Sequence, residues 1–121
     1  MDIKNKIKIL IIIPFAILFS CSNGLEKKIT KNWKVYKMEK TINGYNPMNI
    51  DINSKMSYNF LPENKVQMIT QMGNKMRGTW YIEDSVISIY VKEEKKQFDI
   101  IELADDKLTL VSGEFKFFLE K

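Results

Sequence analysis

The sequence predicts an all-β domain, an eight-stranded antiparallel meander that closes into a barrel, with a two-sheet β-sandwich as the alternative. Three observations predict it. From Trp33 onward apolar residues recur at every second position rather than at helical spacing. Turn residues recur about every ten positions. Nearly all connections after residue 54 are short, which makes chain neighbours pair antiparallel.

The opening strand is expected from Trp33 to Lys40. Residues 41–54 are long and polar, and two readings stay open: Asn46-Pro47 capping a short helix, or Ile50 and Ile52 on a strand extension. Met56, Tyr58 and Phe60 then alternate with Ser57 and Asn59, and Leu61-Pro62-Glu63-Asn64-Lys65 turns the chain. Val66, Met68, Thr70 and Met72 form the next alternating run, broken by Gly73-Asn74. Gly78, Trp80 and Ile82 alternate with Arg77, Thr79 and Tyr81, so Arg77 takes the outer face. Glu83-Asp84 turns into Ile87, Ile89 and Val91, and Glu93-Glu94-Lys95-Lys96 reads as a charged turn. Phe98 and Ile100 lead a strand in which Ile101 and Leu103 change parity, the sign of a bulge. Ala104-Asp105-Asp106, then Leu108 and Leu110, then Ser112-Gly113-Glu114, then Phe115, Phe117 and Leu119 close the chain. Eight such strands remove their edges by closing on themselves. The interior is then just wide enough for side chains or one small ligand.

The start of the chain has a different character. Lys4, Lys6 and Lys8 outweigh Asp2, and Ile9 to Phe19 runs apolar for eleven residues, interrupted by Pro14. A bilayer core needs about 20 apolar residues, so a membrane-anchoring helix is the weaker reading and the apolar core of a secretory signal the stronger. Leu18-Phe19-Ser20-Cys21 resembles the lipobox of bacterial lipoproteins, although Phe19 departs from the small or aliphatic residue usual there. The resemblance implies cleavage before Cys21, a diacylglycerol on its sulfur and further acylation with chains such as palmitate. Cys21 is the only cysteine, so no internal disulfide can form. The expected organisation is a signal peptide at 1–20, a tether at 21–30 and the barrel at 31–121. Ser22 follows Cys21 where an aspartate would retain the protein at an inner membrane. The expected address is therefore an outer membrane, on its periplasmic face.

Four segments resemble small lipocalin-like domains of bacterial lipoproteins. They are Asn32-Trp33-Lys34-Val35, Tyr58-Asn59-Phe60 with its acidic turn, Gly78-Thr79-Trp80, and Ile100-Ile101-Glu102-Leu103 through Leu110. Lys31 stands where a glycine is expected two before the first tryptophan. The resemblance implies a fold and an address, since most such domains have no assigned activity.

The chemistry on offer is narrow. The chain has no histidine, and Cys21 is committed to lipid, which excludes imidazole or thiolate metal sites and Ser–His or Cys–His nucleophiles. Glu83-Asp84, Glu93-Glu94 and Asp105-Asp106 are adjacent acids at turns, which point apart into water rather than working as an acid–base pair. No catalytic residue and no cofactor are expected. Without the signal peptide the chain carries 16 basic and 14 acidic residues, and the lysines are scattered, which argues against a nucleic-acid partner.

The expected partners are a membrane through lipid on Cys21 and either a small apolar ligand or another envelope protein. Met56, Tyr58, Met68 and Trp80 are the candidate ligand-binding residues. Met56, Met68, Met72 and Met76 form an adaptable apolar lining that suits a packed core or a pocket. Trp33 and Trp80 suit core packing or ligand stacking, with Trp33 plugging one end of the barrel. The two functional readings are thus a barrel with a pocket and a filled barrel that works through its surface or its 41–54 loop.

Overall fold

The computed structural model describes residues 24–43 and 46–121. The expected signal peptide and Cys21 lie outside the described residues. A short helix, α1 (residues 24–29), precedes nine strands. They are β1 (Asn32–Lys40), β2 (Met48–Asn49), β3 (Ser57–Leu61), β4 (Lys65–Ile69), β5 (Lys75–Glu83), β6 (Val86–Val91), β7 (Glu94–Leu103), β8 (Lys107–Ser112) and β9 (Phe115–Glu120).

Every pairing is antiparallel. From β3 to β9 each strand pairs with the next in sequence, and β1 pairs with β3 on one side and β9 on the other. Lys34 shows the closure in one residue, since it faces both Ser57 and Glu120. The ring of eight strands is therefore a barrel and not a sandwich. β2 is an added pair of residues on the end of β1, with Glu39 opposite Asn49 and Lys40 opposite Met48. For 41–54 the strand residues are Met48 and Asn49, whereas Ile50 and Ile52, expected on the extension, lie beyond it and pack against the core instead.

Local chemistry explains the sharp connections. Glu83 faces Val86 across Asp84 and Ser85, both with positive φ (50° and 68°), as a two-residue hairpin loop requires. Glu63 and Asn64 also have positive φ, both 61°. Asn64 then ties this turn to β5: its side-chain Nδ2 donates to the Trp80 carbonyl at 2.9 Å, and its carbonyl accepts from the Trp80 N–H at 2.9 Å.

Two irregularities aim side chains. The register between β7 and β8 shifts at Ile100 to Glu102, where the parity change predicts a bulge, and Ile101 is pushed outward to 58% exposure. A second shift at Val35 to Lys37 puts Tyr36 outside and returns Met38 to the core.

Three sequence expectations need correction. Residues 24–29 are helix, not tether, and Ile29 at the helix end is fully buried. The reason is an apolar pair four residues apart, Leu25 and Ile29, hidden among Glu26, Lys27 and Lys28. The charged turn is shorter than expected: only Lys92 and Glu93 connect β6 to β7, with Val91 opposite Glu94. The run through Met72 ends at Ile69, and Met72 lies in the following turn with 80% exposure.

Candidate functional site

The two ends of the barrel differ. At one end the turns between β3 and β4, β5 and β6, and β7 and β8 lie on the side where β1 begins, directly after α1. Trp33 is fully buried here, and its Nε1–H donates to the Ile29 carbonyl at 2.9 Å. The Phe60 N–H donates to the Lys31 carbonyl, and the Lys31 ammonium donates to the Asp105 carbonyl. Trp80 packs edge-on to Phe60 at 5.0 Å, and its Nε1–H donates to the Leu61 carbonyl at 3.0 Å. This end is closed by indoles whose polar edges are spent on backbone carbonyls. Trp33 is the plug that its position predicts.

The other end is open. A cavity of about 380 Å³ enters the barrel there. Its floor is aromatic: Tyr58, Phe98 and Phe117 meet edge-to-face, with ring centroids 5.6–6.2 Å apart. Its walls carry Met38, Met56, Met68, Met72 and Met76. Met68 and Met76 face one another across β4 and β5, which places two thioethers side by side. Five methionines in one lining make a surface that can reshape around an irregular guest.

Tyr58 supplies the polar handle. Burial pushes its phenol up to about 12, so it is a neutral hydroxyl at any physiological pH. None of the side-chain hydrogen bonds uses that hydroxyl, yet no buried side-chain polar atom lacks a partner among the described residues. The oxygen therefore opens on the cavity. At the rim, the 50–53 segment is held in place. The Ile50 N–H donates to the Met38 carbonyl, the Asn53 N–H to the Gln71 carbonyl, and Gln71 Nε2 to the Asp51 carbonyl at 2.9 Å.

Of the four candidate ligand residues, Met56, Tyr58 and Met68 line the cavity together. Trp80 does not, because it belongs to the closed end, where it is 1% exposed. A strand's parity tells which residues point inward but not how far along the axis they sit, so Trp80 and Tyr58 look alike in sequence. Lining residues that sequence reasoning did not single out as a site include Phe98, Phe117, Glu94 and Lys96. The parity of the two phenylalanines carries a usable signal. Glu94 and Lys96 were hidden by looking like a turn.

A family model described as a lipocalin-like domain matches residues 29–110. The chain belongs to the lipocalin-like domain family. Solved structures agree on the fold. A lipocalin-like protein from Bacteroides uniformis is 16% identical with a TM-score of 0.58, covering 78% of this chain and 98% of its own. An uncharacterized protein from Bacteroides eggerthii is 14% identical with a TM-score of 0.56, covering 76% of this chain and 98% of its own. No curated protein matches. The family match begins at Ile29, the residue that α1 delivers to the closed end of this lipocalin-like barrel.

Proposed function

We propose that this protein is a lipid-anchored envelope lipoprotein whose lipocalin-like barrel takes up a small apolar ligand through its open end. One observation carries the ligand reading: a cavity of about 380 Å³ with an aromatic floor and methionine walls. Small-molecule sites usually measure about 300–1,000 Å³ and are apolar with a few placed polar groups. The Tyr58 hydroxyl is such a group. A filled barrel acting only through its surface would not leave this volume inside. Binding is also favoured over catalysis by the acids at the hairpin tips, since Glu83, Asp84, Asp105 and Asp106 are all exposed.

The anchor reading rests on the sequence, through the basic start, the apolar run from Ile9 to Phe19 and Cys21. Ser22 in place of an aspartate supports an outer-membrane address, and the lack of an acidic run in Ser22-Asn23-Gly24-Leu25 supports the periplasmic face; density-gradient fractionation tests the first and protease accessibility on intact cells the second. For the ligand site, residues 24–121 are titrated with an anthracene-type dye that fluoresces in apolar surroundings. Saturable binding is expected, and Met68→Trp, which fills the wall, should abolish it while leaving the melting temperature close to wild type. A wild-type domain that binds no apolar dye refutes the reading.

A further inference from the structure

The inner face of β7 changes character along its length. Phe98, Lys96 and Glu94 share one face of the strand, and register places Lys96 opposite Ile89 and Glu94 opposite Val91, both inward residues. Phe98 is buried in the floor, while Lys96 and Glu94 line the same cavity nearer its mouth. Lys96 is thus one layer deeper than Glu94, by about 6.6 Å along the strand. Neither side chain is in an ion pair among the described residues.

We propose that this ladder reads a zwitterionic head, with its anion inward at Lys96 and its cation outward at Glu94. The ligand is then a single-chain amphiphile with a phosphoethanolamine-type head, whose chain lies on Tyr58, Phe98 and Phe117. This rests on the cavity being the ligand site. The physical reason is desolvation. A guest that fills the mouth strips water from both charges and must return their hydrogen bonds. An uncharged head returns neither charge interaction. A carboxylate satisfies Lys96 but faces Glu94, and an ammonium does the reverse. A betaine, with its cation inward, sets like charge against like at both levels. Only the anion-inward order satisfies both. The cavity volume admits one chain, since about 380 Å³ holds on the order of ten groups the size of a water's share of liquid, roughly 30 Å³.

The test uses the full chain in phosphatidylglycerol nanodiscs and five photoreactive probes. All carry the same alkyl chain ending in a diazirine, with phosphoethanolamine, carboxybetaine, carboxylate, ammonium or hydroxyl heads. Labelling of Tyr58, Phe98 and Phe117 is mapped by peptide mass spectrometry. The phosphoethanolamine probe should reach half-maximal labelling at a concentration about tenfold below the other four, as one charge-assisted contact more than a competitor allows. In Lys96→Met the ammonium probe should become the strongest labeller, and in Glu94→Gln the carboxylate probe should rise to match phosphoethanolamine. Both positions are exposed, so the variants should melt as wild type does. Equal labelling by all five heads, or one ranking in wild type and both variants, overturns the headgroup assignment while leaving the cavity as a ligand site. No labelling of the floor by any probe overturns the cavity reading itself.

Discussion

Gly78→Ala tests how tightly the barrel is drawn together at the centre of β5. A Cβ built on Gly78 would lie 2.1 Å from the Tyr90 carbonyl oxygen and 3.0 Å from Val91 Cγ2. A carbon normally approaches a carbonyl oxygen no closer than about 3.3 Å. Roughly 1.2 Å must then come from the separation of β5 and β6, which is only about 4.8 Å in an ordinary ladder. The neighbours of Gly78 have little freedom to give. Thr79 faces Tyr90, and Trp80 faces Ile89 with its indole held to the Leu61 carbonyl. Forced overpacking costs about 1–3 kcal/mol, and a weakened ladder hydrogen bond adds about 1 kcal/mol. Alanine recovers about 0.4–1 kcal/mol by stiffening the unfolded chain. The net loss should be about 2–3 kcal/mol, which lowers the melting temperature by on the order of 10–20 °C in a domain of this size. Chemical denaturation of residues 24–121 measures it. Gly113→Ala is the control, because Gly113 has φ of 59° with nothing within 4 Å of the added carbon. There only the left-handed backbone is penalised, by about 1–2 kcal/mol. If Gly78→Ala lies within about 0.5 kcal/mol of wild type, or costs less than Gly113→Ala, the close approach to Tyr90 is not what demands glycine.

Three further outcomes are expected. Trp80→Ala should cost about 3–5 kcal/mol while Arg77→Ala, exposed on the opposite face, stays within about 0.5 kcal/mol; denaturant melts showing the reverse order would overturn the register. Trp33→Phe removes the pyrrole ring and its N–H while the Ile29 carbonyl keeps the Lys31 N–H, so the lost bond and vacated volume together should lower stability by about 1–3 kcal/mol, and Trp33→His melting no better than Trp33→Phe would argue that ring shape matters more than the bond. For the anchor, metabolic labelling with a fatty-acid analogue should mark wild type and not Cys21→Ala; equal labelling of both would end the lipoprotein reading.

Most of the barrel was legible because its signal is local. Period-two alternation in Met56 to Phe60 or Ile87 to Val91 gives both strand and face, and the parity change at Ile101 gives the bulge that the register shift records. The bulge at Tyr36 was legible in principle and was not read. It carries the same sign as the other, since Trp33 and Val35 give way to Tyr36 and Met38 at the opposite parity, but the charged Lys34 and Lys37 on either side mask it as plain alternation. Helix α1 escaped for a different reason. Six residues hold too little periodicity to read, and what fixes them is burial of Ile29 and the bond from the Trp33 indole four residues on, already in β1. The site was half legible for a geometrical reason. Alternation assigns Tyr58 and Trp80 to the same interior, but only the stagger of the strands sends one to the open end and the other to the closed end. Charge concealed the rim, since Glu94 and Lys96 read as solvated turn residues until the register places them opposite Val91 and Ile89.

The contrast between the two ends also bears on where a ligand can enter. At the closed end, opening a path means breaking directional bonds from Trp33 to Ile29 and from Trp80 to Leu61, and uncovering two buried indoles. At the mouth the obstacles are methionines, whose three rotatable bonds let them swing aside while trading one dispersion contact for another. Entry is therefore cheap at one end and costly at the other, and the floor of Tyr58, Phe98 and Phe117 is the natural limit of penetration.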